Sequence, residues 1–115
     1  MTAPADEIRA AAEQLRKLAE AATDGPWISE TSPVYGFRVG TVNMRAWVAF
    51  TGDYADEPDE SGPDAAYIAA IHPGVGLALA DWLDYEADLM GPGSERRGRT
   101  TRALAVARAI LGGRP

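Results

Sequence analysis

Apolar side chains first recur at helical spacing near the start of this chain. Within residues 4–22, alanine, leucine and isoleucine return every three or four positions, as on one face of a helix. Charged side chains occupy the opposite face, and Glu13 and Lys17 stand one turn apart, where they support a helix. Gly25-Pro26 is a strong stop signal. The pattern predicts a helix within residues 1–26.

The period changes at Trp27, where short runs of β-branched and aromatic residues replace the helical spacing. These runs are separated by residues that favour turns, and they predict a three-stranded antiparallel meander over residues 27–50. Strict alternation in the third run, residues 45–50, places Trp47 on the face opposite Phe50. A small sheet of this kind needs helices against one face to be stable.

Residues 51–63 are acidic and rich in proline and glycine, and they predict a loop. Three helices are then expected within residues 64–113, the first of them opened by Pro63. The second is expected from about Val75 and the third over residues 101–111. Apolar residues of the second helix at one angle are expected to be buried, namely Val75, Ala78, Leu79, Trp82, Leu83, Leu89 and Met90.

These elements predict an α+β fold: an N-terminal helix, a small three-stranded antiparallel sheet and three C-terminal helices. The length of 115 residues suits a single domain spanning residues 1–115, with enough chain to bury a core. Trp27 and Trp82 are expected in that core, because tryptophan is mostly buried. Trp47 is either covered by the N-terminal helix or exposed.

Composition narrows the classes of function. The chain has no cysteine, which excludes disulfides, thiolate nucleophiles and cysteine zinc sites. It has no apolar run of the roughly 20 residues that span a bilayer and no signal-peptide layout, so we expect a cytoplasmic protein without membrane contact. A net charge of −6 makes nucleic acid an unexpected partner.

Residue patterns for catalysis or metal binding are weak. The segment 93–100 approaches a phosphate-binding loop, but arginine replaces lysine and no strand precedes it. The acidic loop lacks the ligand spacing of a calcium-binding EF-hand. His72 has no nucleophile motif to serve, and we expect it to cap helix carbonyl groups. Glu86 falls within the buried stripe, where we expect an internal ion pair or a side chain that reaches solvent near the helix end, in preference to a catalytic acid. We therefore predict no catalytic residue, metal or cofactor, and no enzyme activity.

Binding residues are easier to nominate than catalytic ones. An exposed Trp47 beside Arg45 would mark a binding surface. The charged candidates are acids of the predicted loop and arginines near the last helix: Asp56, Glu57, Asp59, Glu60, Arg96, Arg97 and Arg99. From Gly93 onward, six arginines stand against one glutamate, so an acidic chain has a basic end that suits association with an acidic surface.

Three segments, residues 15–27, 62–86 and 103–113, carry a family resemblance. Ala22–Trp27 (ATDGPW) reads as a turn after a first helix, and Asp64–Ala69 (DAAYIA) opens a later helix. The chain resembles small proteins of actinobacterial phages and prophages that are similar to the Ead family of phage accessory proteins. The resemblance implies provenance and fold, and it brings no catalytic residues to transfer.

These observations lead to one functional hypothesis and one alternative, with a small hydrolase that uses Glu86 or His72 ranked last. The first is a non-enzymatic phage or prophage accessory protein that binds a host macromolecule, a protein being the expected partner. The alternative is a binder that sequesters a nucleotide-like signalling molecule, with aromatic and arginine side chains forming its pocket. Self-association is left open by the sequence.

Overall fold

A computed structural model of the chain describes residues 3–32, 36–43, 45–52, 58–90 and 98–112. It confirms the predicted α+β fold, with one helix, a three-stranded antiparallel sheet and three further helices. In chain order the elements are α1 (Pro4–Ala21), β1 (Trp27–Thr31), β2 (Phe37–Thr41), β3 (Trp47–Thr51), α2 (Pro58–Ala70), α3 (Pro73–Asp88) and α4 (Gly98–Ile110).

The elements form two compact units. The helical unit contains the chain up to Ala19 and from Gly76 onward, and so holds most of α1 and α3 together with α4. The sheet unit is the continuous segment Glu20–Val75, with all three strands and α2. The prediction of a single domain concerns how the two units fold together, and it stays a prediction.

Small side chains fill the core of the helical unit. Ile8 and Leu83 are its largest fully buried residues, and alanines from α1, α3 and α4 surround them. The buried alanines are Ala11, Ala12, Ala80, Ala87, Ala103 and Ala107, none of them more than 1% exposed. Because alanine adds so little bulk, helices whose alanines face each other can approach closely.

The buried stripe predicted for α3 is only partly correct. Leu83 is fully buried and Glu86, which the pattern placed in the stripe, is 6% exposed. Trp82, however, is 37% exposed, so its assignment to the core is wrong, and Val75, Ala78 and Leu89 are exposed as well. The prediction followed the largest apolar side chains, whereas the helices pack through the alanine face.

Charged side chains of α1 reach across to α3 within the helical unit. Arg16 donates to Asp84 at 2.8 Å and to Asp81 at 3.1 Å, and Arg9 donates to Asp88 at 3.3 Å. The hydrogen bond to Asp84, and then that to Asp81, raises the pKa of Arg16 above its ordinary value. Exposed pairs of this kind add little to stability, but they match acidic positions of one helix to arginines of the other.

In the sheet unit, α2 covers one face of the sheet. The strand order is β1-β2-β3, and Val39 of the central strand is fully buried with Ala65 and Ala69 of α2. Trp27, which the sequence assigned to the core, packs against this cluster and is half-buried. The helix supplies the cover that an isolated three-stranded sheet needs.

Residues 58–63 were predicted to belong to the acidic loop, but they are helical, because α2 begins at Pro58. Proline suits the first turn of a helix, where its missing N–H is not needed. Pro63 was predicted to open the helix but lies inside it. There it cannot donate a backbone hydrogen bond. The helix nevertheless continues through this position, which sequence rules treat as a helix start.

The packing of α3 predicts a contrast between two leucines of the same helix. Leu83→Ala should lower the free energy of unfolding by about 2–5 kcal/mol, because it leaves a cavity among the buried alanines. Leu77→Ala is the matched control, since Leu77 is exposed and its truncation should cost less than about 1 kcal/mol. Urea unfolding monitored by circular dichroism measures both values, and equal losses would contradict the assigned core.

Candidate functional site

An irregularity in the sheet decides which side chains share its outer face, the face opposite α2. Ala49 pairs with Val39, but Gly40 pairs with Trp47, so β3 holds one extra residue at this point. Such a bulge interrupts the alternation of side chains along a strand. Val48 and Ala49 consequently both pack toward the buried cluster.

The bulge brings two aromatic rings together on the outer face. The ring centroids of Trp47 and Phe50 lie 5.8 Å apart, at an interplanar angle of 37°. Strict alternation would have put these residues on opposite faces, as the sequence predicted. Trp47 is 42% exposed and Phe50 is 62% exposed, which settles the open question about Trp47 in favour of exposure.

Arg38 of β2 completes this group of side chains. Its guanidinium carbon lies 4.0 Å from the centroid of the Trp47 ring, in cation–π geometry. Glu30, directly across from Arg38 on β1, accepts a hydrogen bond from Arg38 Nε at 2.6 Å, and Nη2 contacts the same carboxylate oxygen. We call Glu30, Arg38, Trp47 and Phe50 the outer-face cluster.

The turn before β3 is held by its own hydrogen bonds. The Thr41 hydroxyl donates to Asn43 Oδ1 at 2.7 Å, and the Arg45 backbone N–H donates to the same oxygen at 3.0 Å. The Ala46 N–H donates to the Thr41 hydroxyl oxygen at 3.3 Å. Side-chain bonds of this type fix a turn locally. They set the point at which Trp47 enters the strand.

The predicted binding residues fall in several places. Arg45 is exposed in the turn that leads into Trp47. Asp59 and Glu60 belong to α2, and Arg99 belongs to α4. The remaining candidates, Asp56, Glu57, Arg96 and Arg97, lie outside the described residues. Of the predicted set, only Trp47 belongs to the outer-face cluster.

Three members of the cluster were missed by sequence reasoning. Glu30 and Arg38 carry a usable signal, because opposite charges on adjacent strands commonly pair across a sheet. Phe50 carries none, since its face depends on the bulge. The bulge forms opposite Val39 and Gly40, and no residue pattern in β3 marks it.

His72 has a structural role that differs from the predicted one. Its Nδ1 accepts the Gly74 N–H at 3.1 Å, so it caps the start of α3 instead of binding carbonyl groups at the end of α2. The difference arises because α3 begins at Pro73, which makes His72 the residue just before a helix. A Cβ added at Gly25 would lie 2.6 Å from this nitrogen, so a larger residue there would have to displace the His72 ring.

Further features of the described residues bear on binding. No three histidine, aspartate or glutamate side chains among them are arranged to hold a metal ion. A hollow of about 420 Å³ lies along α1 and is lined by Ala10, Glu13, Gln14, Lys17 and Leu18, with no aromatic side chain.

Within the same described ranges no single helix is long and apolar enough to cross a membrane; Gly62–Ala70 and Pro73–Asp88 meet that test only together, with a bend between them.

Comparisons of the chain with protein-family models, with curated proteins and with solved structures find no match. The resemblance to phage accessory proteins stays a prediction.

The pairing of Arg38 with Glu30 can be measured by a double-mutant cycle. Glu30→Gln and Arg38→Gln should each destabilise the chain, and their combined effect should fall short of additivity by about 0.5–1 kcal/mol, because each single change already breaks the pair. Urea unfolding of the four proteins gives this coupling energy. Additive losses would show that the pair contributes nothing to stability.

Capping by His72 predicts different results from two substitutions. His72→Ala should cost about 0.5–2 kcal/mol of unfolding free energy, since the Gly74 N–H loses its acceptor. His72→Asn should retain most of the stability, because the asparagine side-chain oxygen can accept the same bond. Chemical denaturation measures both variants, and equal losses would contradict the capping role.

Proposed function

We propose that this chain is a non-enzymatic accessory protein of phage or prophage origin that binds a host protein in the cytoplasm. The binding surface is the outer-face cluster. The proposal depends above all on one observation: Trp47 and Phe50 stand exposed and side by side, with Arg38 stacked on the indole.

The residue types in the cluster support a protein partner. Aromatic residues and arginine are enriched at the centres of protein interfaces and supply most of the binding energy there. Glu30 holds Arg38 in place, and Arg38 lies against Trp47. A partner therefore meets side chains that are already ordered, which lowers the entropy lost on binding.

The same contacts make a nucleotide-like ligand the weaker alternative. A base could stack only on the indole face that Arg38 leaves open, since the guanidinium lies 4.0 Å from the ring centroid on the other side. The charge of Arg38 is also compensated by Glu30, so it offers little attraction to a phosphate. Two exposed aromatic rings beside an already paired arginine suit a protein better than a small anionic molecule.

The environments of His72 and Glu86 support a function without catalysis. His72 is engaged as a helix cap, with its Nδ1 occupied by the Gly74 N–H. Glu86 is 6% exposed, and every buried side-chain polar atom in the described residues has a hydrogen-bond partner. These engagements favour structural roles for both side chains over acid–base catalysis.

Quantitative capture from an actinobacterial host tests the binding surface. A tagged wild-type chain should retain a host protein at fixed stoichiometry, and Phe50→Ser should reduce its recovery at least about tenfold, the loss expected at the centre of an interface. Tyr67→Ser is the matched control, because Tyr67 is an aromatic of α2 that is 68% exposed and lies outside the cluster.

The outcomes separate the two hypotheses. Loss of the host protein with Phe50→Ser but not with Tyr67→Ser supports the proposal, provided that circular dichroism finds both variants folded. Equal recovery from both variants would refute a role for the outer-face cluster. A small retained mass in native mass spectrometry, lost on Trp47→Ser, would favour the nucleotide-like ligand instead.

A further inference from the structure

Helix α3 has a second apolar stripe, separate from the one buried in its core. The stripe consists of Ala78, Trp82, Tyr85 and Leu89, spaced four, three and four residues apart, and all four are exposed. Trp82, Tyr85 and Leu89 are 37%, 57% and 49% exposed. The spacing is that of the a and d positions of a coiled coil, the pattern by which helices pair.

The core of the helical unit does not account for this stripe. Contacts of α3 with that core are made through Ala80, Leu83 and Ala87, which occupy a different side of the helix. An ordered row of large apolar residues on a helix already packed elsewhere is unusual on a protein surface, and it indicates an interface.

The order of residues in the stripe is self-complementary. When two copies of α3 pack antiparallel, an a position of one helix lies beside a d position of the other. Trp82 then lies beside Tyr85 of the second copy, and Ala78 lies beside Leu89, so two central aromatic layers are flanked by layers that pair a small with a larger residue. A two-fold interface needs this match of a surface with itself.

The charges beside the stripe also suit a second copy of this chain. Asp81 and Asp88 flank the stripe on one side, and two copies would bring these acids together. Arg16 is paired with Asp81 at 3.1 Å and Arg9 with Asp88 at 3.3 Å within the same chain. Each copy thus neutralises its own acids, so the stripe does not require a basic partner.

We propose that the stripe of α3 is the interface of an antiparallel two-fold dimer of this chain. The inference is independent of the proposed host-protein binding, which concerns the sheet unit. Four side chains that are already partly covered expose less than the roughly 800 Å² per partner of a standard stable interface. The dimer is therefore weak, and its population depends on protein concentration.

Analytical ultracentrifugation of the full chain, from micromolar to millimolar concentration, tests the dimer. The wild type should convert from monomer to dimer over this range, and Tyr85→Asp should raise the dissociation constant at least about tenfold, because it buries a negative charge against Trp82 of the second copy, beside the acids that flank the stripe. Tyr67→Asp is the matched control and should leave the constant unchanged. A wild type that stays monomeric, or a dimer that Tyr85→Asp does not weaken, would overturn the proposal.

Disulfide trapping tests the register without relying on a disruptive variant. The chain has no native cysteine, so single cysteines can be placed by Ala78→Cys and Leu89→Cys. In the antiparallel register, oxidation should cross-link the mixed variants far faster than either variant alone, because residue 78 faces residue 89 across the interface. Faster cross-linking of Ala78→Cys with itself would indicate parallel helices and would overturn the proposed interface.

Discussion

The close approach of alanine-bearing helix faces is the constraint on which the helical unit depends. Because Ala11 and Ala12 of α1, Ala80 and Ala87 of α3 and the alanines of α4 are almost fully buried, the space between the helices has room for few bulky residues, Ile8 and Leu83 among them. Large side chains elsewhere on α3 are left outside. The exposed tryptophan and tyrosine of this helix are a consequence of how its core is packed.

In the sheet unit, strand register decides which large side chains are buried and which are exposed. One helix covers one face of the sheet, and Val39 at the centre is sealed between them. The β-bulge then turns two successive residues of β3, Val48 and Ala49, toward the covered side, and leaves Trp47 and Phe50 together on the other. A single extra residue in one strand thus creates the group of side chains to which we assign binding.

Sequence periodicity predicted the helices and strands better than it predicted which of their faces are buried. α1 was predictable to within a residue, because its apolar and charged positions separate cleanly and Gly25-Pro26 follows it. The start of α2 was not, since helix formation past Pro63 depends on packing that local rules do not register. The buried face of α3 was misjudged because the size of an apolar side chain says little about a core made of alanines.

For the candidate site, Trp47 could be nominated from its residue type and its position beside Arg45, but its neighbours could not. The contact with Phe50 follows from strand register, and the contact with Arg38 joins two strands. Strand pairing depends on the fold as a whole. Both contacts therefore become visible only when the pairing of the strands is known. A sequence can therefore nominate a single aromatic residue for binding, but it does not reveal the other side chains that form the surface with it.

The two units differ in how their parts are distributed along the chain, and this bears on how they fold. The sheet unit is one continuous segment, whereas the helical unit joins α1 to helices that follow that segment. The pair of Arg9 with Asp88 spans 79 residues, while Glu30 and Arg38 are only 8 apart. Contacts between distant residues form more slowly, because closing a longer loop costs more entropy. During synthesis the sheet unit can therefore form its contacts before the helices that pack against α1, namely α3 and α4, are complete.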